Sequence, residues 1–163
     1  MTLLTKVISN GFVPIIPILV WNKLFVSRLP AAFDAKTFNR GISLILISSE
    51  NMFRAMVFIM PLFFRTNLSS SMGKVGFLIF LSGASLYFLS WLMLIYFPDT
   101  TWSTSLFGFT APAFTPLIWL VGLGLMADSY YFNAPYFKWH YLLPAAAFTG
   151  FHLLHTWHIY KRI

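Results

Sequence analysis

The chain has 163 residues, of which 58% are hydrophobic and only 9% are charged. A soluble domain of this size could not hide so much apolar surface, because a folded domain of about 150 residues removes only about 70% of its unfolded surface from water. The composition therefore excludes a soluble globular protein. It predicts an all-α integral membrane protein, with residues 1–163 forming a single transmembrane domain of about five helices.

The formal net charge of +7 comes from 11 Lys and Arg residues against few acids. These basic residues stand singly between apolar runs, whereas a nucleic-acid-binding protein gathers them on one patch or stripe. Basic residues that flank membrane-spanning helices are the simpler interpretation. The charge thus predicts a lipid bilayer, and no nucleic acid, as a partner. The chain has no Cys, which excludes disulfides and thiolate chemistry.

Apolar runs divide the chain into five predicted transmembrane helices. A span needs about 20 mostly apolar residues at the rise of an α-helix. Four runs satisfy this requirement, at residues 42–64, 75–97, 105–127 and 139–160. A fifth run, 3–25, is interrupted by polar residues, namely Lys6, Asn10, Asn22 and Lys23. We expect this run to span as well, and the alternative is an interfacial or re-entrant segment.

The basic residues of the connections predict the orientation. If five helices cross the membrane, the connection 26–41 and the carboxyl terminus lie on the same side. That side is the more basic of the two, with Lys23, Arg28, Lys36, Arg40, Lys161 and Arg162 against Lys6, Arg65, Lys74 and Lys138. Because cytoplasmic loops carry an excess of Lys and Arg, we expect a multi-pass protein with an external amino terminus and a cytoplasmic carboxyl terminus.

Glu50 and Arg54 are charged residues inside a predicted span. A charge near the bilayer centre costs from about 3 to more than about 10 kcal/mol, so such residues usually face the protein interior and are paired. Four residues apart on a helix, they share one face and can reach each other. One interpretation is an internal ion pair that fixes helix packing, with Asn51 bonding a neighbouring helix. We favour the other, a polar cavity in which Arg54 anchors an anion or a carbonyl group and Glu50 is its partner or carries a proton.

Three histidines lie near the end of the last predicted helix, namely His152, His155 and His158. At about 100° per residue, each adjacent pair shares a face, while all three spread over about 120°. Such a pair is a candidate ligand set for a metal or a haem iron, because neutral imidazole is a common ligand. No second cluster of acids or histidines completes a coordination shell. Hydrogen bonding near the membrane interface is therefore the favoured interpretation, and the cofactor stays unassigned.

Counting along the helices places the two groups at the same depth. Residues 42 and 160 meet the same membrane face, so Glu50 and His152 each lie about 12 Å inside it at about 1.5 Å per residue. Further polar side chains fall in the same half of the bilayer, namely Asn22, Ser90, Trp91, Thr110 and Thr115. We expect a half-membrane cavity open towards the connection 26–41, with aromatic walls from Trp21, Tyr87 and Trp91. The alternative for Ser and Thr is hydrogen bonding to carbonyls of their own helices.

The predicted site leaves three functions open. The ligand-binding residues that we expect are Glu50, Asn51, Arg54, Trp91, His152 and His155. The leading hypothesis is binding or transport of a small amphipathic ligand, whose polar head contacts Arg54 and His152 while aromatic walls hold its apolar body. The second is an intramembrane enzyme on a lipid- or quinone-like substrate, with Glu50 or His152 as acid or base. The third is an accessory subunit of a larger membrane complex, and self-association is a further option.

Overall fold

Helices form most of the chain in the computed structural model, which describes residues 7–162 and, of Ala35 and Lys36, the backbone only. The longer helices of this part are α1 (Ile16–Phe25), α2 (Leu44–Ile59), α3 (Ser71–Tyr96), α4 (Leu106–Phe114), α5 (Pro116–Met126) and α6 (Trp139–Tyr160). Single helical turns lie at Val13–Ile15, Val26–Arg28, Ala31–Phe33, Ala35–Phe38, Met60–Phe63 and Thr101–Thr104. Two short strands, β1 (Phe64–Thr66) and β2 (Ala127–Tyr130), pair antiparallel.

Three helical segments of the described chain are long and apolar enough to cross a membrane. They are Leu44–Phe63, Ser71–Tyr96 and Leu106–Met126. These segments match the predicted helices 42–64, 75–97 and 105–127. The prediction of a mostly helical protein is therefore confirmed, and three of the predicted spans have the length and composition of a membrane span. The third segment is divided at Thr115, because Pro116 has no N–H to donate within the helix. The prediction of a five-helix membrane bundle goes beyond these three segments.

The first and last predicted helices differ in how well they match a membrane span. The last forms with the predicted bounds, Trp139–Tyr160, but it contains all four histidines of the chain, which make it less apolar than the other three segments. The first was predicted at 3–25, of which residues 3–6 lie outside the described part. Its helix α1 has only 10 residues, and a single turn at each end extends the helical path over residues 13–28.

Pro61 ends α2 and leaves a carbonyl group that another helix satisfies. A proline in a helix has no N–H for the carbonyl four residues earlier, which here belongs to Val57. The hydroxyl of Tyr141 on α6 donates to that carbonyl oxygen over 3.1 Å. Both residues are fully buried, and a buried carbonyl in an apolar surrounding is costly unless it accepts a hydrogen bond. This bond therefore joins α2 to α6 at the point where the main-chain hydrogen bonds within α2 end.

We predict that Tyr141→Phe lowers the free energy of unfolding by about 1–3 kcal/mol, the cost of leaving a buried acceptor without its donor. Equilibrium unfolding in mixed detergent micelles measures the change. Tyr96→Phe, at an exposed position at the end of α3, is the matched control and should change the stability little. Equal stability of the Tyr141→Phe protein and the unsubstituted one would show that the bond does not contribute.

Glycines allow α3 and α5 to pack with their backbones in contact. A side chain at Gly76 would meet the carbonyl oxygen of Gly122, and one at Gly83 would meet the backbone of Ile118 and Trp119. Small residues at such crossings let helices in a membrane approach closely, which increases van der Waals contact between them. The last helix, α6, packs against α2, α4 and α5. The tight α3 and α5 pair and the central α6 thus frame the interior.

Different contacts hold the chain segments together at the two ends of the bundle. At one end, here called the sheet end, β1 pairs with β2, and Lys138 donates to the carbonyl oxygens of Leu125 (3.0 Å) and Ala127 (2.9 Å). Burial lowers the pKa of the Lys138 ammonium, and Asp128 nearby raises it in part. At the other end, Arg162 donates to main-chain carbonyls of the segment that joins α1 to α2, those of Arg40 and Gly41. The connection 26–41 and the end of α6 therefore lie together, as the depth count assumed.

Candidate ligand-binding site

The Glu50 carboxylate is the centre of a hydrogen-bonded cluster between α2 and α6. Glu50 is only 2% exposed. Its Oε1 accepts a hydrogen bond from the guanidinium of Arg54, one turn further along α2. The same oxygen lies 2.9 Å from Nδ1 of His152, and Oε2 lies 2.6 Å from Nδ1 of His155. Both carboxylate oxygens are thus engaged, as a charge removed from water requires.

The predicted pair and the predicted histidines therefore meet in one place. His152 and His155 are three apart on α6, so they share the face that packs against α2. Counting at about 1.5 Å per residue predicted equal depth for Glu50 and His152, and their contact confirms it. His158 takes no part in the cluster among the described contacts and lies instead against Trp157.

His155 uses both of its ring nitrogens. Its Nε2 lies 3.0 Å from the main-chain carbonyl oxygen of Phe38, and the Phe38 ring packs on the imidazole with the ring centroids 4.3 Å apart. A carbonyl oxygen only accepts hydrogen bonds, so Nε2 carries a hydrogen. The carbonyl comes from the connection 26–41, which therefore takes part in building the cluster. The side chain of His155 is 2% exposed.

The contacts of His155 determine the number of protons in the cluster. With Nε2 protonated, the 2.6 Å contact between Nδ1 and Oε2 of Glu50 needs one more hydrogen. That hydrogen sits either on Nδ1, giving an imidazolium beside a carboxylate, or on Oε2, giving a neutral imidazole beside a carboxylic acid. Either arrangement leaves one dissociable proton in the hydrogen bond between Glu50 and His155. The site is therefore able to hold a proton in a buried position.

Arg54 belongs to the cluster at its more open edge. One of its terminal nitrogens donates to Glu50, and the other donates to Oδ1 of Asn51 over 3.1 Å. The guanidinium lies over the Phe148 ring at 5.8 Å, and the same ring stacks against His152 at 5.5 Å. Its side chain remains 42% exposed, so Arg54 faces open space beside α2 as well as the buried acid.

A cavity of about 310 Å³ borders the cluster. All six predicted ligand-binding residues line it, namely Glu50, Asn51, Arg54, Trp91, His152 and His155. The connection 26–41 closes part of the wall with apolar side chains, those of Val26, Leu29, Phe33 and Phe38. The predicted cavity is therefore present, but the connection folds over it where the sequence predicted an opening.

A second cavity of about 290 Å³ adjoins the first towards the interior of the bundle. The two cavities share six wall residues, namely Val26, Arg54, Tyr87, Trp91, Pro112 and His152. We refer to them as the outer cavity, beside Glu50, and the inner cavity, which reaches Trp119. The inner cavity also contains Asn22, whose Oδ1 accepts a 2.7 Å hydrogen bond from the Tyr87 hydroxyl. This bond joins α1 to α3 and contributes a polar group to the inner cavity.

The hydroxyl groups predicted at the same depth have a different role. The hydroxyls of Ser90, Thr110 and Thr115 each donate over 2.7 Å to a carbonyl of their own helix. This is the local alternative considered for them, and the structure confirms it. Trp91 and Tyr87 are cavity walls as predicted, whereas Trp21 stacks against Phe25 and Phe88 outside the residues that line either cavity.

Other residues of the site escaped the sequence-based prediction. The Phe38 carbonyl, the Phe148 ring and the Trp119 indole carry no charge or motif that marks them. A helical projection of residues 139–160 would have identified Phe148, because it lies four residues before His152 and hence on the same face. Phe38 and Trp119 depend on how distant segments pack, and we see no local signal for them.

The grouping of the histidines bears on the predicted candidate ligand pair for a metal or a haem iron. In residues 7–162, no group of three or more His, Cys, Asp or Glu side chains is placed to hold a metal ion. Both nitrogens of His155 are occupied by Glu50 and Phe38, so a metal or haem iron at His155 would have to displace one of these bonds. The arrangement fits hydrogen bonding and proton holding better than coordination.

Comparisons of the chain with protein-family models, with curated proteins and with solved structures found no match. The interpretation of the site therefore depends on its geometry.

We predict that Glu50→Ala lowers the free energy of unfolding by about 2–3 kcal/mol. Removing one partner of a buried ion pair typically costs about 3–5 kcal/mol, and the partial exposure of Arg54 reduces that cost. Unfolding in mixed micelles measures the loss. Asn51→Ala, one residue away on the exposed side of α2, is the control and should cost less than about 1 kcal/mol. If both proteins are equally stable, the cluster does not hold α2 to α6.

Proposed function

We propose that this chain is a multi-pass membrane protein of about five helices that binds a small amphipathic ligand between them. In this proposal the polar head of the ligand contacts Arg54 and His152, and its apolar body lies along aromatic walls. The observation that carries the proposal is a charged, hydrogen-bonded cluster that borders empty space inside a helical bundle. An ion pair that served packing alone would be sealed, because voids beside it forfeit van der Waals contacts.

The size and lining of the cavities support a ligand of modest size. Small-molecule sites are typically clefts of about 300–1,000 Å³, mostly apolar with a few polar groups. The outer cavity has about 310 Å³ and adjoins the inner cavity of about 290 Å³. Their walls combine one ion pair and two imidazoles with the rings of Tyr87, Trp91 and Trp119. Such a lining suits a molecule with one polar end and one apolar end.

The exposed part of the lining supports entry from the lipid. Of the residues around the outer cavity, Val26 is 52% exposed and the side chain of Arg54 is 42% exposed. Val26 follows α1 and Arg54 is on α2, so the opening lies between these helices. If both helices cross the bilayer, this opening faces acyl chains at about 15 Å from the start of α2. An amphipathic molecule dissolved in the membrane would reach the site by this route.

Two contacts support the inclusion of α1 and α6 among the membrane helices. The helical path 13–28 begins beside β1, where the Gly11 amide donates to the Phe64 carbonyl, and ends at the outer cavity. The helix α6 runs from the sheet end, where His140 contacts Tyr130, to the opposite end, where Arg162 contacts the connection 26–41. Each therefore extends between the same two ends as the three apolar segments. Five crossings would place the termini on opposite sides, with the more basic side cytoplasmic.

We predict that Arg54→Met weakens binding of an amphiphile about tenfold to a hundredfold, because hydrogen bonds to charged groups contribute about 1.5–3 kcal/mol. The probe is 12-bromododecanoate, whose bromine quenches tryptophan fluorescence, added to the protein in lipid nanodiscs. Saturable quenching of the unsubstituted protein is expected, with binding partly restored in Arg54→Lys. Loss of the saturable component in a Trp91→Phe, Trp119→Phe double variant separates the cavity from tryptophans in contact with lipid.

Two results would contradict the proposal. Binding that is equally tight in Arg54→Met would mean that Arg54 does not contact the ligand. Quenching that never saturates in the unsubstituted protein would mean that the cavities stay empty. Thermal unfolding of each variant checks that the fold persists, so that lost binding is not mistaken for an unfolded protein.

An intramembrane acid or base is a second candidate, supported by one contact. The Glu50 carboxylate orients His152 at 2.9 Å, as a carboxylate orients the imidazole of a general base. His152 lines both cavities. Turnover of a lipid- or quinone-like substrate, with a bell-shaped pH dependence that Glu50→Gln abolishes, would favour this candidate over binding. A role as an accessory subunit would instead appear as instability of the purified chain without a partner.

A further inference from the structure

The charge of the cluster follows from its hydrogen bonds. Arg54 is always protonated, and one dissociable proton lies in the hydrogen bond between Glu50 and His155. Arg54, Glu50, His155 and the shared proton therefore sum to a net charge of +1, whether the proton sits on the acid or on the imidazole. A hydrogen on Nδ1 of His152 makes the contact with Oε1 of Glu50 in the neutral and in the protonated imidazole alike, so His152 does not change the sign of this charge. No acid other than Glu50 lines either cavity in the described part of the chain, so this charge has no protein counter-ion there.

We infer that the head of the ligand is anionic, and that the cavities take a single-chain, monoanionic amphiphile. This inference rests on the proposed function and specifies its ligand class. An uncompensated charge is costly in a medium of low dielectric, and an anion at hydrogen-bond distance removes that cost. A neutral head gains only hydrogen bonds, and a cationic head is repelled. The sign of the charge therefore selects among molecules with the same apolar chain.

The donors of the site agree with an anionic head. Arg54 has five N–H donors, and the cluster uses its two terminal nitrogens for one bond each, to Glu50 and Asn51. A head that accepts hydrogen bonds from the remaining N–H groups of Arg54 agrees with the placement of the polar end beside Arg54 and His152.

Other titratable groups around the cluster leave this charge unchanged. The Tyr87 hydroxyl on α3 donates to Asn22, so it is a neutral donor. The connection contributes a main-chain carbonyl, that of Phe38, and no acid to the lining of the outer cavity. The net charge thus depends on the proton shared by Glu50 and His155.

The test compares competitors that share one dodecyl chain and differ in the charge of the head. Dodecanesulfonate, which stays anionic at every pH used, dodecanol and dodecyltrimethylammonium compete with 12-bromododecanoate for the unsubstituted protein in nanodiscs of zwitterionic lipid. We expect dodecanesulfonate to compete at least about tenfold better than dodecanol, which corresponds to about 1.4 kcal/mol. The cation should compete least.

Two variants separate charge from shape. His155→Gln removes the shared proton and leaves Glu50 and Arg54 to cancel, so the ratio of anion to alcohol should fall to near one. Glu50→Gln removes the acid and leaves Arg54 as a permanent charge of the same sign, so the ratio should persist. The two substitutions break the same hydrogen bond, but His155→Gln cancels the net charge and Glu50→Gln keeps it, so a common defect in folding would not produce this pattern.

The outcomes distinguish the inference from the proposed function. Equal competition by dodecanesulfonate and dodecanol in the unsubstituted protein, or a ratio that survives in His155→Gln, overturns the anionic head and leaves amphiphile binding intact. Absence of saturable binding of 12-bromododecanoate overturns the proposed function itself. If either variant fails to fold, the comparison of the three competitors on the unsubstituted protein still shows whether the site prefers an anionic head.

Discussion

The Glu50 carboxylate, buried between α2 and α6, is the group on which the site depends. It cannot be removed from water without donors around it, and Arg54, His152 and His155 supply them. Because the imidazoles come from α6, satisfying the carboxylate also fixes the contact and register of the two helices. Because His155 also bonds the Phe38 carbonyl, the same cluster holds the connection that closes the cavity. One buried acid therefore couples helix packing, cavity shape and the charge at the cavity wall.

Other buried polar groups of the interior also have hydrogen-bond partners on a neighbouring helix. The carbonyl that Pro61 leaves without a donor is satisfied from α6 by Tyr141, and Asn22 on α1 accepts from Tyr87 on α3. In each case a polar group of one helix is satisfied by another, which is the usual solution where water is absent. The glycines of α3 and α5 bring the backbones of these two helices into contact. Space remains where the cluster, the aromatic rings and α1 meet.

Much of the site could be predicted, because helical spacing and depth are local properties. The spacing of Glu50 and Arg54 places them on one face, and counting from the membrane surface brings Glu50 to the level of His152. What escaped prediction depends on chain segments without periodicity. The connection 26–41 was expected to leave the cavity open, but Phe38 bonds His155 and helps to cover it. No pattern of residues indicates which main-chain carbonyl a distant imidazole will meet.

The charge of the cluster requires that Glu50 and His155 share a proton. Nitrogen NMR of the His155 imidazole detects this proton. The protein is labelled with ¹⁵N at histidine and placed in lipid, and the His155 signals are assigned by their loss in His155→Gln. We expect Nε2 to carry a hydrogen and Nδ1 to share a hydrogen with the Glu50 carboxyl group. An unprotonated Nε2 beside the Phe38 carbonyl would contradict it, because the hydrogen-bond count that gives the cluster its charge would then fail.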